Sequence, residues 1–376
     1  MYDQLREETL YIMLYAAVTM LSLIACCYLL FRRGNAFAPD ITPPVRLRRW
    51  MAALFASLTL SHVVYLPGVF LTSDDDILLC SLIGGLIDSI TFFPLAIIVL
   101  FTIMQDRRRP LWPVAVMVAP LIVGMVWCVV SRSDALIPTL FGYLLLMGIG
   151  LIIYMVREVK RYGRWLRDNY ADLEHKEVWQ TFVVLAVILL VFCIYAFSSK
   201  GLCYEYLLQL IVVVLIGYLL WRVETLSDLS LSQPLPSPVE EETITTQTTY
   251  EYIAPLLQQH CIETQLYLQH DLTLQQLAKA VGTNRFYLSQ YFSTQGTNYN
   301  AYINDLRINH FVNLYHETIA KKRNFSTQLL AQESGYRSYS TFCRVFKGKT
   351  GMSVTAWMKT LDKGSGEREN ERNQLD

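Results

Sequence analysis

Gly335-Tyr336-Arg337-Ser338-Tyr339-Ser340-Thr341-Phe342-Cys343-Arg344-Val345-Phe346-Lys347, followed by Thr350-Gly351, decides the reading of the C-terminal third of the chain. A glycine turn leads into a helical pattern that sets Phe342 and Phe346 on one face at i and i+4, and Arg344 on another. That layout predicts a recognition helix seated on a helix-turn-helix core: one face anchors in the core, and the other is free to enter a DNA groove. Immediately upstream, Ser326 precedes a short helical pattern over Thr327–Ser334, so a complete helix-turn-helix unit is predicted here.

A second unit lies some fifty residues earlier. Thr273 precedes Leu274–Val281, with Gln276 three residues on as a capping-box partner, and Gly282 ends the helix at a tight turn. Asn284 then caps Arg285–Phe292, with Leu288 and Phe292 turned inward. A longer helix over Asn300–Glu317 joins the two units. Tyr302, Leu306, Asn309 and Asn313 are placed along one of its faces and Arg307 outside it. Two recognition helices so arranged reach successive major-groove faces about 34 Å apart.

These residues carry a family resemblance. Residues 270–361 resemble the AraC/XylS-type DNA-binding domain, with two helix-turn-helix motifs joined by a long helix. The matching positions are Leu277-Ala278, Gly282, Tyr287-Leu288-Ser289, Phe292, Tyr302-Ile303 and Leu306-Arg307-Ile308, then Leu330-Ala331, Gly335-Tyr336, Phe342, Arg344, Phe346-Lys347 and Thr350-Gly351. Two departures stand out: Ser334 where a small apolar residue is usual, and Val354 where proline is usual. The resemblance implies base-facing positions at Phe286, Ser289 and Gln290 in the first recognition helix, and at Tyr339, Ser340, Cys343 and Arg344 in the second. Glutamine bridges adenine and arginine grips guanine bidentately, each worth about 1–3 kcal/mol of discrimination. Asn284, Arg285, Lys347, Lys349 and Thr350 read as phosphate contacts, which position a protein without reading sequence. For each cation the alternative is a solvated surface charge.

The rest of the chain is of another kind. Formal net charge is zero and 53% of residues are hydrophobic, but residues 1–222 hold long apolar runs broken by short charged loops. A membrane-spanning helix needs about 20 mostly apolar residues. Seven stretches reach that length: Leu10–Phe31, Trp50–Leu71, Ile77–Met104, Leu111–Val130, Leu136–Val156, Val178–Phe197 and Leu202–Val223. The first follows Glu7 and Glu8 and lacks a cleavage pattern, so it does not read as a signal peptide. The first, third and fifth loops carry Arg32, Arg33, Arg46, Arg48 and Arg49, then Arg107, Arg108 and Arg109, then Arg157, Lys160, Arg161, Arg164, Arg167 and Lys176. The opposite side holds Arg6, Arg132 and Lys200, and the acidic run Asp74-Asp75-Asp76. Fourteen basic residues against three predict an outside N-terminus and a cytoplasmic C-terminus. An odd number of spans also puts the DNA reader on the side where DNA is.

Within the spans, His62 and Asp88 lie near mid-depth, where an unpaired carboxylate is expensive and seeks a partner. They are either a ligand- or proton-responsive pair or a buried polar clip. Glu205 and Gln209 either line an outward pocket or sit at the headgroup level. Gly142, Gly148 and Gly150 predict close helix approach, and Pro67, Pro94, Pro120 and Pro138 predict kinks. The eight cysteines show no CxxC and no Cys/His spacing, so no metal site is predicted; Cys80, Cys128 and Cys203 fall near one face and allow a disulfide.

The fold predicted is all-α: a seven-helix membrane bundle over 1–223, a Pro/Ser/Thr-rich linker over 224–249, a tandem helix-turn-helix domain over 250–361 and a tail over 362–376. The sequence holds no P-loop, nucleophile elbow or HExxH, so neither an enzyme nor a cofactor is predicted. The expected partners are double-stranded DNA, a lipid bilayer, an effector or membrane partner of unknown identity, and a second copy as a homodimer. The function predicted is a one-component regulator in a bacterial cytoplasmic membrane. The alternatives are a transporter or channel with a DNA-binding tail, and a membrane tether docking a partner receptor.

Overall fold

The computed structural model describes residues 2–32, 35–37, 41–198, 202–229, 252–321 and 325–361, with backbone alone over 2–8, 192–198 and 202–204. Most of the expected linker, the tail after Leu361, and the side chains of Arg6, Arg33, Cys193, Lys200 and Cys203 lie outside the described residues. Among those described, every regular element is helical, with one isolated antiparallel bridge between Tyr170 and Thr273. The chain forms two compact units, Met1–Gly163 with His175–Pro234, and Arg164–Glu174 with Leu235–Asp376.

The first unit holds α1 (Tyr2–Phe31), α2 (Val45–Tyr65), α3 (Asp74–Ile90), α4 (Phe92–Ile103), α5 (Trp112–Ser131), most of α6 (Ile137–Asn169), α7 (Trp179–Ser198) and α8 (Leu202–Thr225). Six helical stretches among the described residues are long and apolar enough to cross a membrane. The third is α3 and α4 together, broken at Thr91. Pro94 supplies the cause, because it has no N–H to close the helical ladder across that turn. The seventh expected stretch does form α7, but its part with described side chains, Trp179–Val191, is shorter than a span requires.

Close helix approach occurs at other glycines than those expected. A Cβ on Gly84 would strike the Tyr65 ring, one on Gly85 the Met125 methyl, and one on Gly124 the Leu140 side chain. Gly142, Gly148 and Gly150 face open space, which corrects the sequence reading. They lie on α6, whose apolar window is only 6% buried, against 28–33% for the other five spans. Cys80 and Cys128 are free thiols. Several arginines counted for topology do structural work instead. Arg109 is buried and reaches Glu158 at 2.8 Å and Asp106 at 3.0 Å, while Arg48 reaches the fully buried Glu224 at 3.4 Å.

The second unit begins with α9 (Ile253–Leu257), which runs into a wider helical turn over Gln258–Ile262. Next come α10 (Leu274–Val281), α11 (Arg285–Thr294), α12 (Tyr299–Ala320), α13 (Thr327–Glu333) and α14 (Tyr339–Thr350). It has two apolar cores. The first gathers Ile253, Leu257, Cys261, Leu274, Leu277, Leu288, Phe292 and Ile303, with Ala171 contributed by the segment Arg164–Glu174. The second gathers Phe311, Tyr315, Leu330, Phe342, Phe346 and Val354, with Trp357 packed against it.

Helix α12 runs through both cores, with Tyr302 and Leu306 packed at the edge of the first. Tyr299, Ile303, Arg307, Ile308, Phe311 and Tyr315 are buried, whereas Asn309 and Asn313 are exposed. Arg307, placed outside by the sequence reading, is 1% exposed. Its Nε donates to the Tyr267 carbonyl at 2.8 Å and its Nη2 to that of Gln269 at 2.7 Å, while the guanidinium lies over the Tyr336 ring at 5.6 Å. Carbonyl acceptors and a ring face make burial of this charge tolerable.

Candidate nucleic-acid interface and intramembrane polar cluster

The two helix pairs are built on the same local chemistry. In the first, Thr273 Oγ1 accepts from the Gln276 N–H at 3.3 Å and the Gln276 side chain accepts from the Thr273 N–H at 2.8 Å, a complete capping box. Gly282, at φ 75°, turns the chain, and the Thr283 N–H donates to the Ala278 carbonyl at 2.9 Å. Asn284 then caps α11 by accepting from the Tyr287 N–H at 2.9 Å. Leu288 and Phe292 are buried, with the Phe292 ring 4.9 Å from that of Tyr302, so the other side of α11 is presented outward. Phe286 is 69% exposed, Arg285 is exposed, and Ser289 and Gln290 are half-buried.

In the second pair, Ser326 stands at the N-terminus of α13 but makes no capping hydrogen bond. Gly335, at φ 87°, makes the turn, and the Tyr336 N–H donates to the Ala331 carbonyl at 3.2 Å. Ser338, which the sequence reading passed over, caps α14 by accepting from the Thr341 N–H at 3.2 Å. Its signal was legible as a serine three residues ahead of a helical threonine. Ser334, the departure from the family pattern, is fully buried and donates to the Leu330 carbonyl at 2.7 Å, which satisfies its hydroxyl. Phe342 and Phe346 are completely buried, their rings 4.5 and 5.8 Å from Phe311. Burying two such side chains contributes about 3–6 kcal/mol and fixes which way α14 faces.

Arg344, Lys347 and Ser340 are accordingly exposed. Tyr339 is half-buried against Phe342, and Cys343 is half-buried and hydrogen-bonded with Tyr339. Lys349 forms an ion pair with Asp305, both partly exposed, a contact weak enough in solvent to exchange for a phosphate. The Thr350 hydroxyl donates to the Phe346 carbonyl at 2.8 Å. The exposed positions among those expected to meet bases and phosphates thus fall on the outer faces of α11 and α14, opposite the faces that hold them to the core.

One stretch that the sequence reading assigned only a topological charge also belongs to this unit. Asn300 Nδ2 donates to the carbonyls of Tyr170 and Ala171, at 3.0 and 2.6 Å, and Asn304 Nδ2 donates to the Ala171 carbonyl at 3.2 Å. The Glu174 carboxylate accepts from Ser338 Oγ and, at 2.7 Å, from Thr341 Oγ1. Burial pushes the Tyr170 phenol up to about 12, so it stays neutral.

In the first unit, His62 and Asp88 each make their hydrogen bonds elsewhere. His62 is buried, with Nδ1 2.9 Å from the Leu58 carbonyl and Nε2 3.2 Å from the Gln209 side-chain oxygen. Tyr15 packs on the His62 ring at 4.8 Å and its hydroxyl donates to the His62 carbonyl at 2.7 Å. Asp88 accepts from the Tyr65 hydroxyl at 3.2 Å, and Glu205 from the Tyr11 hydroxyl at 3.2 Å. The result is a set of neutral donors holding ionisable groups between helices. Among the described residues no cluster of three or more His, Cys, Asp or Glu is arranged to hold a metal ion.

Residues 277–360 match the family model described as a helix-turn-helix domain, of the AraC type. The match begins inside α10 and runs through both helix pairs. No curated protein matches the chain, and no solved structure does. Fold and match together define a DNA-binding type of domain on a chain that also carries, among the described residues, six helical stretches apolar enough to span a membrane.

Proposed function

We propose that this chain is a membrane-embedded, one-component transcription regulator. Its two helix-turn-helix pairs read a duplex DNA site, and its apolar helices sense a signal in the membrane or envelope. The observation that carries the reading is the pairing of a matched helix-turn-helix domain, with Arg344 and Lys347 outward on α14, and a multi-helix apolar region in the same chain. In this reading α7 completes a seventh span, the N-terminus lies outside and the DNA-binding domain lies in the cytoplasm of a bacterial cell. Phe286, Ser289, Gln290, Ser340 and Arg344 read bases. Asn284, Arg285, Lys347 and an exchangeable Lys349 hold phosphates. The chain performs no catalysis and takes no cofactor. The polar groups around His62, Gln209 and Asp88 are where a signal acts, by favouring one arrangement of the helices over another.

The test is genome-wide occupancy of the full-length chain in its native cell, beside an Arg344→Ala variant. Sharp sites that weaken or shift in the variant support the reading. A full-length chain that is expressed and shows no sharp site refutes it and favours the membrane tether.

A further inference from the structure

We propose that the segment Arg164–Glu174, the end of α6 and the residues that follow it, is an intramolecular competitor of DNA. The inference rests on the regulator reading and names the regulation of the same interface.

The segment is bound to the DNA-binding unit at three kinds of contact. Its middle is tied down by side-chain amides: Asn300 and Asn304 on α12 donate to the carbonyls of Tyr170 and Ala171. Ala171 itself is 3% exposed within the first apolar core, and Tyr170 bridges the backbone of Thr273 at the start of α10. The two ends carry the charge. Asp168 lies in electrostatic range of Arg285, the first residue of α11. Glu174 accepts from the hydroxyls of Ser338 and Thr341, the cap and first turn of α14.

The chemistry of those two places is that of phosphate sites. A helix N-terminus favours an anion such as a phosphate, through its free N–H groups and the positive end of the helix dipole. Here the α14 N-terminus holds the Glu174 carboxylate, and Arg285 at the start of α11 lies in electrostatic range of Asp168 from the same peptide. The segment carries three acidic residues, Asp168, Asp172 and Glu174, and two basic ones, Arg164 and Arg167, which lie in electrostatic range of Asp168 together with Arg285. A carboxylate accepting two hydroxyl hydrogen bonds offers the same acceptor geometry that a phosphate oxygen would take up. Anion and DNA cannot share the same donors, so binding requires the segment to leave. Apparent DNA affinity is then reduced by the fraction of chains in which it is released. The anchoring amides, away from the helix N-termini, set how large that fraction is.

The experiment uses the full chain in nanodiscs and a pool of 30-base-pair duplexes of randomised sequence, with binding read by anisotropy at two salt concentrations. Glu174→Gln keeps the shape and removes the charge. Asn300→Ala releases the anchor with no change of charge. Glu317→Gln removes an exposed carboxylate that does not touch the segment, and so reports the bulk electrostatic effect. The expected result is about three- to thirtyfold tighter binding for the first two, and little change for the third. In wild type, adding the duplex should speed amide exchange over residues 168–174 while slowing it over 285–294. Unchanged or weaker binding in both Glu174→Gln and Asn300→Ala, or slower exchange over 168–174 on adding DNA, shows the segment to be only structural and overturns the inference with the regulator reading intact. If no form binds the duplex at low salt, the regulator reading itself fails.

Discussion

The two helix pairs share a plan and differ in how tightly it is enforced. Both turn through a left-handed glycine and both present a capped second helix. In the first pair the turn is open: a Cβ on Gly282 would meet nothing within 4 Å. In the second, a Cβ on Gly335 would lie 2.9 Å from the Leu268 backbone and 3.0 Å from Arg307 Nε. The second pair is therefore pressed against the rest of its unit through its turn, and the first is not. Their outer faces differ too. Helix α11 offers an exposed phenylalanine and amide and hydroxyl groups, while α14 offers Arg344 and ends in Lys347 and Lys349. The first pair suits apolar and neutral contacts with a groove; the second brings most of the charge.

The sharpest way to break this comparison is at the turns. Gly335→Ala should destabilise the second unit by ~3 kcal/mol or more, combining left-handed strain with a backbone clash. Gly282→Ala should cost only the strain, about 1–2 kcal/mol. Amide exchange over α12 to α14 and over α10 to α11 in the full chain reports the two separately, and equal losses would contradict the difference. Next come the outer faces. On a sequence selected from a random pool by wild type, Arg344→Ala should lose about 1–3 kcal/mol of discrimination at one base position. Lys347→Ala should weaken all sequences alike and flatten the salt dependence by about one counterion.

Capping sharpens the comparison further. Asn284→Ala removes an observed cap and should cost about 1 kcal/mol. Ser326→Ala removes a residue that makes no capping bond and should change stability by no more than a few tenths. The smallest effect expected is a pH dependence. Burial pushes the His310 imidazole below its ordinary 6.5, against the pull of Glu317 and Glu333, and Nδ1 lies 3.2 Å from the Tyr267 hydroxyl. The folded unit therefore holds fewer protons on this ring than the unfolded chain does. Stability should be full above pH 6.5 and fall as pH drops through that value toward the lower folded pKa. His310→Gln should flatten this slope in urea unfolding monitored between pH 5 and 8.

Local chemistry was legible in the sequence, and non-local chemistry was not. The capping box at Thr273 and Gln276, the Asn284 cap, both glycine turns and the burial of Phe342 and Phe346 are each set by residues within a few positions of one another. Arg307 was misplaced because a cation is by default a surface residue, and only its fold partners Tyr267, Gln269 and Tyr336 make it a core one. The glycines of α6 failed for a similar reason: small residues permit close approach, but the partner helix decides whether it happens. The arginine count treated loop charges as signals of orientation alone, although Arg48 and Arg109 close buried ion pairs. Nothing in residues 164–174 announces that they belong with residues more than a hundred positions later. Their contacts are made through backbone carbonyls, which every residue has, one small apolar side chain, Ala171, and the carboxylates of Asp168 and Glu174.

Arg307 also sets an order in time. Its acceptors, the carbonyls of Tyr267 and Gln269, are made before it on the ribosome, but the Tyr336 ring that covers it comes later. At about 5–20 residues per second, the guanidinium waits for a few seconds with its acceptors in place and its lid missing. A first helix pair that closed fully in that interval would trap an uncovered charge. The nascent unit thus gains by staying loose until its second half has emerged, so that its two cores close together rather than one after the other.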